Sequence, residues 1–224
     1  MTTMPLATNR PDASLNRRTG AAPVTCGRVL ALLLCLCALL PGVLWADDGW
    51  RAVAHPAHLG RVDAAAKRVE TALAGVPADA YGVQEIPALR TLLARPAVAI
   101  EAEQLTGSWR CRSIQVSTLG VFSYPPFRCE IELTEDGTLA FTKRSGSQRR
   151  HGQLYPDAAT RWVLLGGSSV NDEPYRSYSG SLGDADGEDL EFDTVGLLEA
   201  IDRKRLRLLL DAEPDQFEVY ELTR

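Results

Sequence analysis

Two periodicities divide the chain near residue 104. Before that point the apolar positions recur at helical spacing. Leu59, Val62, Ala66, Val69 and Leu73 share one stripe, with Arg61, Lys67, Arg68 and Glu70 mostly on the other side. Pro56 suits a first helical turn, and Gly75 and Pro77 end the pattern. Pro87 opens a second, shorter helix carrying Leu89, Leu92 and Leu93, stopped before Pro96. Each helix has one apolar face, so both are expected to pack on, or cap, the rest of the chain.

After residue 104 the period changes to two. Trp109, Cys111, Ser113 and Gln115 alternate with Arg110, Arg112 and Ile114. Phe127, Cys129, Ile131 and Leu133 alternate with Arg128, Glu130 and Glu132, the cleanest strand signal in the chain. The turn Glu135-Asp136-Gly137 then leads into a strand over 138–143. Further strands are expected at 151–155, 161–165, 190–201, 205–210 and 217–222. About eight short strands with no helix between them predict a mainly β fold. The expected architecture is an eight-stranded antiparallel barrel preceded by two short helices.

The N-terminus reads differently. Arg10, Arg17, Arg18 and Arg28 precede the apolar run Val29 to Leu40, followed by Pro41-Gly42 and, later, Ala46 before Asp47-Asp48. A basic stretch, a short apolar core and a small residue describe a signal peptide, and the run is short for a membrane span of roughly 20 residues. The expected organisation is therefore a signal peptide (1–46), a helical segment (47–104) and the barrel (105–224), in the periplasm or secreted. No membrane span is expected once the leader is cleaved.

Composition and cysteine usage fit that picture. The chain has 224 residues, 24 Lys and Arg against 29 Asp and Glu, a net charge of −5, and 45% apolar residues. Collagen-like, wholly disordered and polytopic membrane chains are excluded, and the acidic excess argues against nucleic acid as a partner. Cys26, Cys35 and Cys37 leave with the leader, so only Cys111 and Cys129 remain. In an oxidising compartment that pair is expected to form a disulfide between inward faces of neighbouring strands; a cytosolic chain would keep two buried thiols.

Several stretches together resemble one family. They are Trp50-Arg51, Trp109-Arg110-Cys111-Arg112, Phe127-Arg128-Cys129, the block from Gly146-Ser147-Gln148-Arg149 to Leu154-Tyr155-Pro156-Asp157, Asp193 to Glu199, and Arg205 to Leu208. In this order they resemble the domain of unknown function 4893 (DUF4893) family of exported bacterial proteins. The resemblance implies export but supplies no mechanism. Gly107-Ser108-Trp109 is also similar to the Gly-x-Trp at the first strand of lipocalin-type barrels. That likeness implies a Trp floor crossed by an Arg after the last strand, here Arg224.

Candidate chemistry is sparse. His55 and His58 lack further ligands for zinc and are expected at the surface. Asp184, Asp186, Glu188 and Asp189 resemble part of a calcium loop, but Leu182 stands where its first ligand should be, so a solvated turn is expected. Arg149-Arg150-His151 is expected as a solvated basic turn. The long stretch 166–189, rich in Gly and Ser, carries Asn171, Tyr175 and Tyr178 and suits a contact loop or a lid. The expected contact residues are Trp109, Arg149, His151, Tyr155, Asn171, Tyr175 and Tyr178. No catalytic residue, metal or cofactor is expected. The function expected is a non-enzymatic binding module for a small apolar ligand. One alternative is an envelope interaction protein such as a peptidase inhibitor; another is an enzyme acting on cell-envelope material.

Overall fold

The computed structural model describes residues 49–180 and 190–224. The expected leader and the acidic loop lie outside the described residues. Among the described residues nine strands run in chain order: β1 (Gly107–Ser117), β2 (Gly120–Ser123), β3 (Phe127–Leu133), β4 (Leu139–Lys143), β5 (Gln148–Ala158), β6 (Arg161–Val170), β7 (Asp193–Asp202), β8 (Arg205–Leu210) and β9 (Gln216–Thr223). From β3 to β9 each pairs antiparallel with the next, and β1 joins both ends, to β3 and to β9. The ring closes with eight strands, and closure removes the exposed edges of an open sheet.

All eight expected strands are present, and β2 is an addition outside the ring. The N-terminal half of β1, from Gly107 to Cys111, pairs with β3, whereas Ile114 to Ser117 pair with β2. Pro125-Pro126 separates the two partners, so the wall splits at this corner. The expected loop at 166–189 is shorter than it reads, because Gly166 to Val170 continue β6. Arg149-Arg150-His151 is part of β5 rather than a solvated turn, and none of the three is fully exposed.

Among the described residues four α-helices precede the barrel: α1 (Pro56–Asp63), α2 (Ala65–Ala74), α3 (Ile86–Ala94) and α4 (Ala102–Leu105). The first expected helix is broken at Ala64, whose φ/ψ of −94°/3° leaves the helical well. The break lets the lead-in follow a curved wall. Val62 of α1 packs on Val163, Leu165 and Val195, whereas Val69 and Leu73 of α2 pack on Ile114, Val116 and Val219. The buried stripe is His58, Val62, Ala65, Val69, Ala72 and Leu73, and Ala66 is exposed. Arg207 on β8 anchors α3, donating to the carbonyls of Leu92 (3.0 Å), Leu93 (2.6 Å) and Arg95 (2.8 Å) at the negative end of that helix. Tyr81 and Gly120 make a further backbone bridge; a Cβ on Gly120, at φ 134°, would collide with the Tyr81 carbonyl.

One end of the barrel is shut. Trp109 is 2% exposed, and its indole N–H donates to the Leu105 carbonyl (2.9 Å). The Arg224 guanidinium lies 3.8 Å from the Trp109 ring and donates to the carbonyls of Leu105 (2.9 Å) and Thr106. The floor implied by Gly-x-Trp is thus present, with α4 beneath it. Above it, Ile131, Phe141, Leu154, Leu164, Leu198, Leu206, Leu208 and Leu222 fill the interior.

Cys111 and Cys129 are bridged beside this floor with their Cα atoms 5.9 Å apart, both side chains facing inward. The bridge closes a loop within the β1–β3 pairing, which restricts the unfolded chain. Replacing both cysteines by serine is expected to cost about 3 kcal/mol, read as a lower urea midpoint, with a slope equal to or steeper than wild type because the unfolded chain is no longer cross-linked.

Candidate ligand site at the open end of the barrel

The inward face changes character along the barrel axis. On β9 the inward positions run Leu222, Tyr220, Glu218, and on β1 they run Trp109, Cys111, Ser113, Gln115. On β4 they run Leu139, Phe141, Lys143, and on β5 Leu154, Gly152, Arg150, Gln148. The period of two therefore delivers apolar groups to the floor and polar or charged groups to the other end. Asp211, at the end of β8 in a left-handed conformation (φ 47°), joins them.

Two adjoining cavities open here. The larger, about 440 Å³, is lined by Gln115, Val116, Phe122, Arg150, Asp211 and Glu218 among others. The smaller, about 140 Å³, lies at the split between β2 and β3 and is lined by Ser113, Tyr124, Phe127, Lys143 and Gln148. Glu218 accepts from Ser113 Oγ (2.5 Å) and Gln115 Nε2 (3.3 Å), and Arg150 Nη2 lies 3.5 Å from its second oxygen. Asp211 accepts from Arg150 (3.4 Å) and the Val195 N–H (3.1 Å). Burial raises the Asp211 carboxyl above its ordinary value, with Arg150 opposing. Burial also works against the Arg150 guanidinium, but Asp211, Tyr220 and Glu218 outweigh it and hold its proton more firmly than usual.

Lys143 is the odd member. It is 3% exposed, forms no salt bridge among the described residues, and donates to the Gln148 carbonyl with its ammonium 4.0 Å from the Phe127 ring. Burial lowers its pKa, and the attraction of Glu218 falls short of restoring it. The Tyr220 hydroxyl and Arg150 Nε, both buried, have no well-formed hydrogen bond among the described residues.

The family model described as a domain of unknown function (DUF4893) matches residues 50–222. The chain belongs to this family. No curated protein matches it. Among solved structures it is similar to a redesigned β-barrel, mFAP1, bound to DFHBI, with 10% identity, 55% of this chain and 97% of that chain covered, and a TM-score of 0.35. A second redesigned barrel, b11L5F_LGL, has 11% identity, 58% and 98% coverage, and a TM-score of 0.36.

In this DUF4893 chain the expected contact residues fall in separate places. Arg149, His151 and Tyr175 meet on the outer wall: the Arg149 guanidinium is 5.0 Å from the Tyr175 ring, and the His151 and Tyr175 rings are 5.5 Å apart. Asn171 holds a left-handed turn (φ 51°) and donates its N–H to the Ser147 carbonyl. Tyr155 packs on the outer cluster around Trp50, whose indole donates to Asp157 (2.6 Å). Trp109 lies in the floor, at the opposite end from the mouth. The polar groups of the mouth, Lys143, Arg150, Asp211 and Glu218, are absent from that set.

Tyr178 marks a different cluster and corrects the expectation of surface histidines. His58 is 3% exposed, on the buried stripe of α1. Its Nδ1 is 2.7 Å from the Tyr178 hydroxyl, which accepts from the His55 N–H (2.8 Å), and Asp193 lies 4.0 Å away. Asp193 in turn accepts from the Ser179 and Gly180 N–H groups (2.8 and 3.0 Å). Burial pushes the Tyr178 hydroxyl up to about 12. Among the described residues no three His, Cys, Asp or Glu side chains gather as a metal site.

His58 in this cluster and His151 on the outer wall are expected to make the fold acid-sensitive. Burial lowers the pKa of His58, helped by Arg61 and opposed by Asp193, and burial lowers that of His151, helped by Arg144. Below the ordinary value of 6.5 the unfolded chain then takes up protons that the folded protein refuses. Their contribution is full above pH 6.5 and falls as pH drops, levelling only below the folded-state values. Asp211 carries the opposite sign, since its raised value favours the folded state in acid. The difference between wild type and His58→Gln/His151→Gln isolates the histidines. Urea unfolding from pH 7 to 5 is expected to show a shallower loss in the double variant.

Proposed function

We propose that this DUF4893 chain is an exported, non-enzymatic binding module that takes a small polar molecule into the open end of its barrel. The observation that carries this reading is the inequality of the two ends. The interior above the floor is packed, with a groove of about 280 Å³ against Trp109 and Arg224 at that end, while the mouth keeps about 440 Å³ of space bordered by buried and partly buried charges. A fold that needed only stability would gain by filling that space with apolar side chains. The polar lining moves the ligand class away from the apolar compound expected from sequence, because the apolar inward positions are occupied by one another. Asp211 and Glu218 are both tied to Arg150, which suits them to a fixed recognition surface rather than to proton transfer. Export rests on the leader pattern and on the disulfide, which persists in oxidising compartments. No helix among the described residues is long and apolar enough to cross a membrane.

The test is a thermal-shift screen of the purified protein against small polar metabolites, with mass spectrometry of compounds released on denaturation. A true ligand at a hundred times its Kd stabilises by about 2.7 kcal/mol. That gain should vanish in Ser117→Trp, which plugs the rim. If no compound shifts the wild type and none is released, the mouth is not a ligand site, and an interaction role such as peptidase inhibition takes its place.

A further inference from the structure

The balance of donors and acceptors at the mouth specifies the ligand more narrowly. Every carboxylate there is engaged: Glu218 by Ser113, Gln115 and Arg150, and Asp211 by Arg150 and the Val195 N–H. The unused capacity is all on the donor side. Lys143 spends one of its N–H groups on Gln148, and among the described residues Arg150 Nε donates to nothing, while the Tyr220 hydroxyl, close to Glu218, makes no well-formed hydrogen bond. These three belong to one region. The Lys143 ammonium is 5.9 Å from the Tyr220 ring, Tyr220 is the next inward position below Glu218 on β9, and Arg150 contacts Glu218. Buried donors without acceptors are costly to keep, and a buried ammonium without a carboxylate partner is costlier still.

From this we infer that the mouth is an anion site, and that its ligand is a small organic monocarboxylate. The carboxylate would be held by Lys143, which lines the smaller cavity, and by Arg150, which lines the larger, with the fully buried Tyr220 hydroxyl behind them as a further donor; the ligand body would lie in the larger cavity against Val116, Phe122 and Phe217. A dianion such as phosphate fits less well, because Glu218 and Asp211 stand beside the same donors and repel a second negative charge. The inference rests on the binding reading above and narrows its ligand class.

Backbone amide shifts in NMR titrations test it, with benzoate, its neutral isostere benzamide and inorganic phosphate as probes at constant ionic strength. Benzoate is expected to saturate shifts at Ser113, Lys143, Gln148 and Tyr220, with benzamide and phosphate at least tenfold weaker. Lys143→Met should weaken benzoate at least tenfold. Tyr220→Phe, which removes one oxygen and keeps the packing, should weaken it a few-fold, and covers the case in which Lys143→Met fails to fold. Benzamide binding as well as benzoate, or benzoate unaffected by both variants, overturns the anion site while leaving a polar binding mouth in place. Phosphate binding more tightly than benzoate overturns the monocarboxylate class. No saturable shift at the mouth with any probe overturns the anion site, and if the metabolite screen is also blank the binding reading falls with it.

Discussion

Trp109→Ala is expected to lower stability by about 3–5 kcal/mol, the usual range for deleting a large buried aromatic side chain. Three losses coincide at this position. The indole leaves a void under Ile131 and Leu222 in a close-packed interior, the Leu105 carbonyl loses one of its donors, and Arg224 loses the ring on which it lies. For a folded unit of this size that corresponds to a fall in Tm of roughly 6–20 °C by circular dichroism. Trp109→Phe should recover part of the loss, because its ring refills much of the space while the five-membered half of the indole and its N–H are given up. Because the floor and the mouth are at opposite ends, either variant, where folded, should bind mouth ligands like wild type. A loss below 1 kcal/mol for Trp109→Ala would mean that α4 and Arg224 seal the floor without the Trp.

The barrel was legible because alternation is a strong signal wherever one face is buried. Phe127, Cys129 and Ile131 mark an inward face, and the pairing of Trp109 with Cys129 places both cysteines on it. The four residues of β2 are too few for alternation to register, and the break at Ala64 answers to the curvature of the wall, which no local pattern encodes. His58 was misread because Pro56 beside it marks a helix start. Its place four residues before Val62, on the buried stripe, was the available clue. The mouth residues were hidden for another reason. Lys143, Arg150 and Glu218 look like ordinary solvated charges when each strand is read alone. Extending the inward register of Leu139-x-Phe141 by two places reaches Lys143, and extending that of Trp109-x-Cys111 reaches Ser113 and Gln115. A face that starts apolar and turns polar without changing register is the trace of a packed floor beneath a wet mouth.

Glu218→Ala should cost nearly as much as the loss of the floor, about 3–5 kcal/mol, although it removes a charge rather than a hydrophobe. Glu218 is 7% exposed, and its deletion strands the Ser113 hydroxyl and takes one of two carboxylates from Arg150. Removing one member of a buried charge cluster leaves the rest desolvated and poorly compensated, here Arg150 with Asp211 alone and the Ser113 hydroxyl without its acceptor, which is where the cost arises. Removing both partners avoids that for the pair, while Asp211 gives up Arg150 and keeps the Val195 N–H (3.1 Å) and Arg61 (3.9 Å). Arg150→Met/Glu218→Leu exchanges the pair for apolar side chains of similar length and is expected to regain part of the lost stability by urea unfolding, the remainder being the cost of Asp211 without Arg150. The double variant should also fail to bind whatever wild type binds. Stability recovered while binding is lost is the pattern expected when charges are kept for recognition. If the double variant were as unstable as Glu218→Ala, the mouth charges would be structural, and the argument for a ligand from their burial would fail.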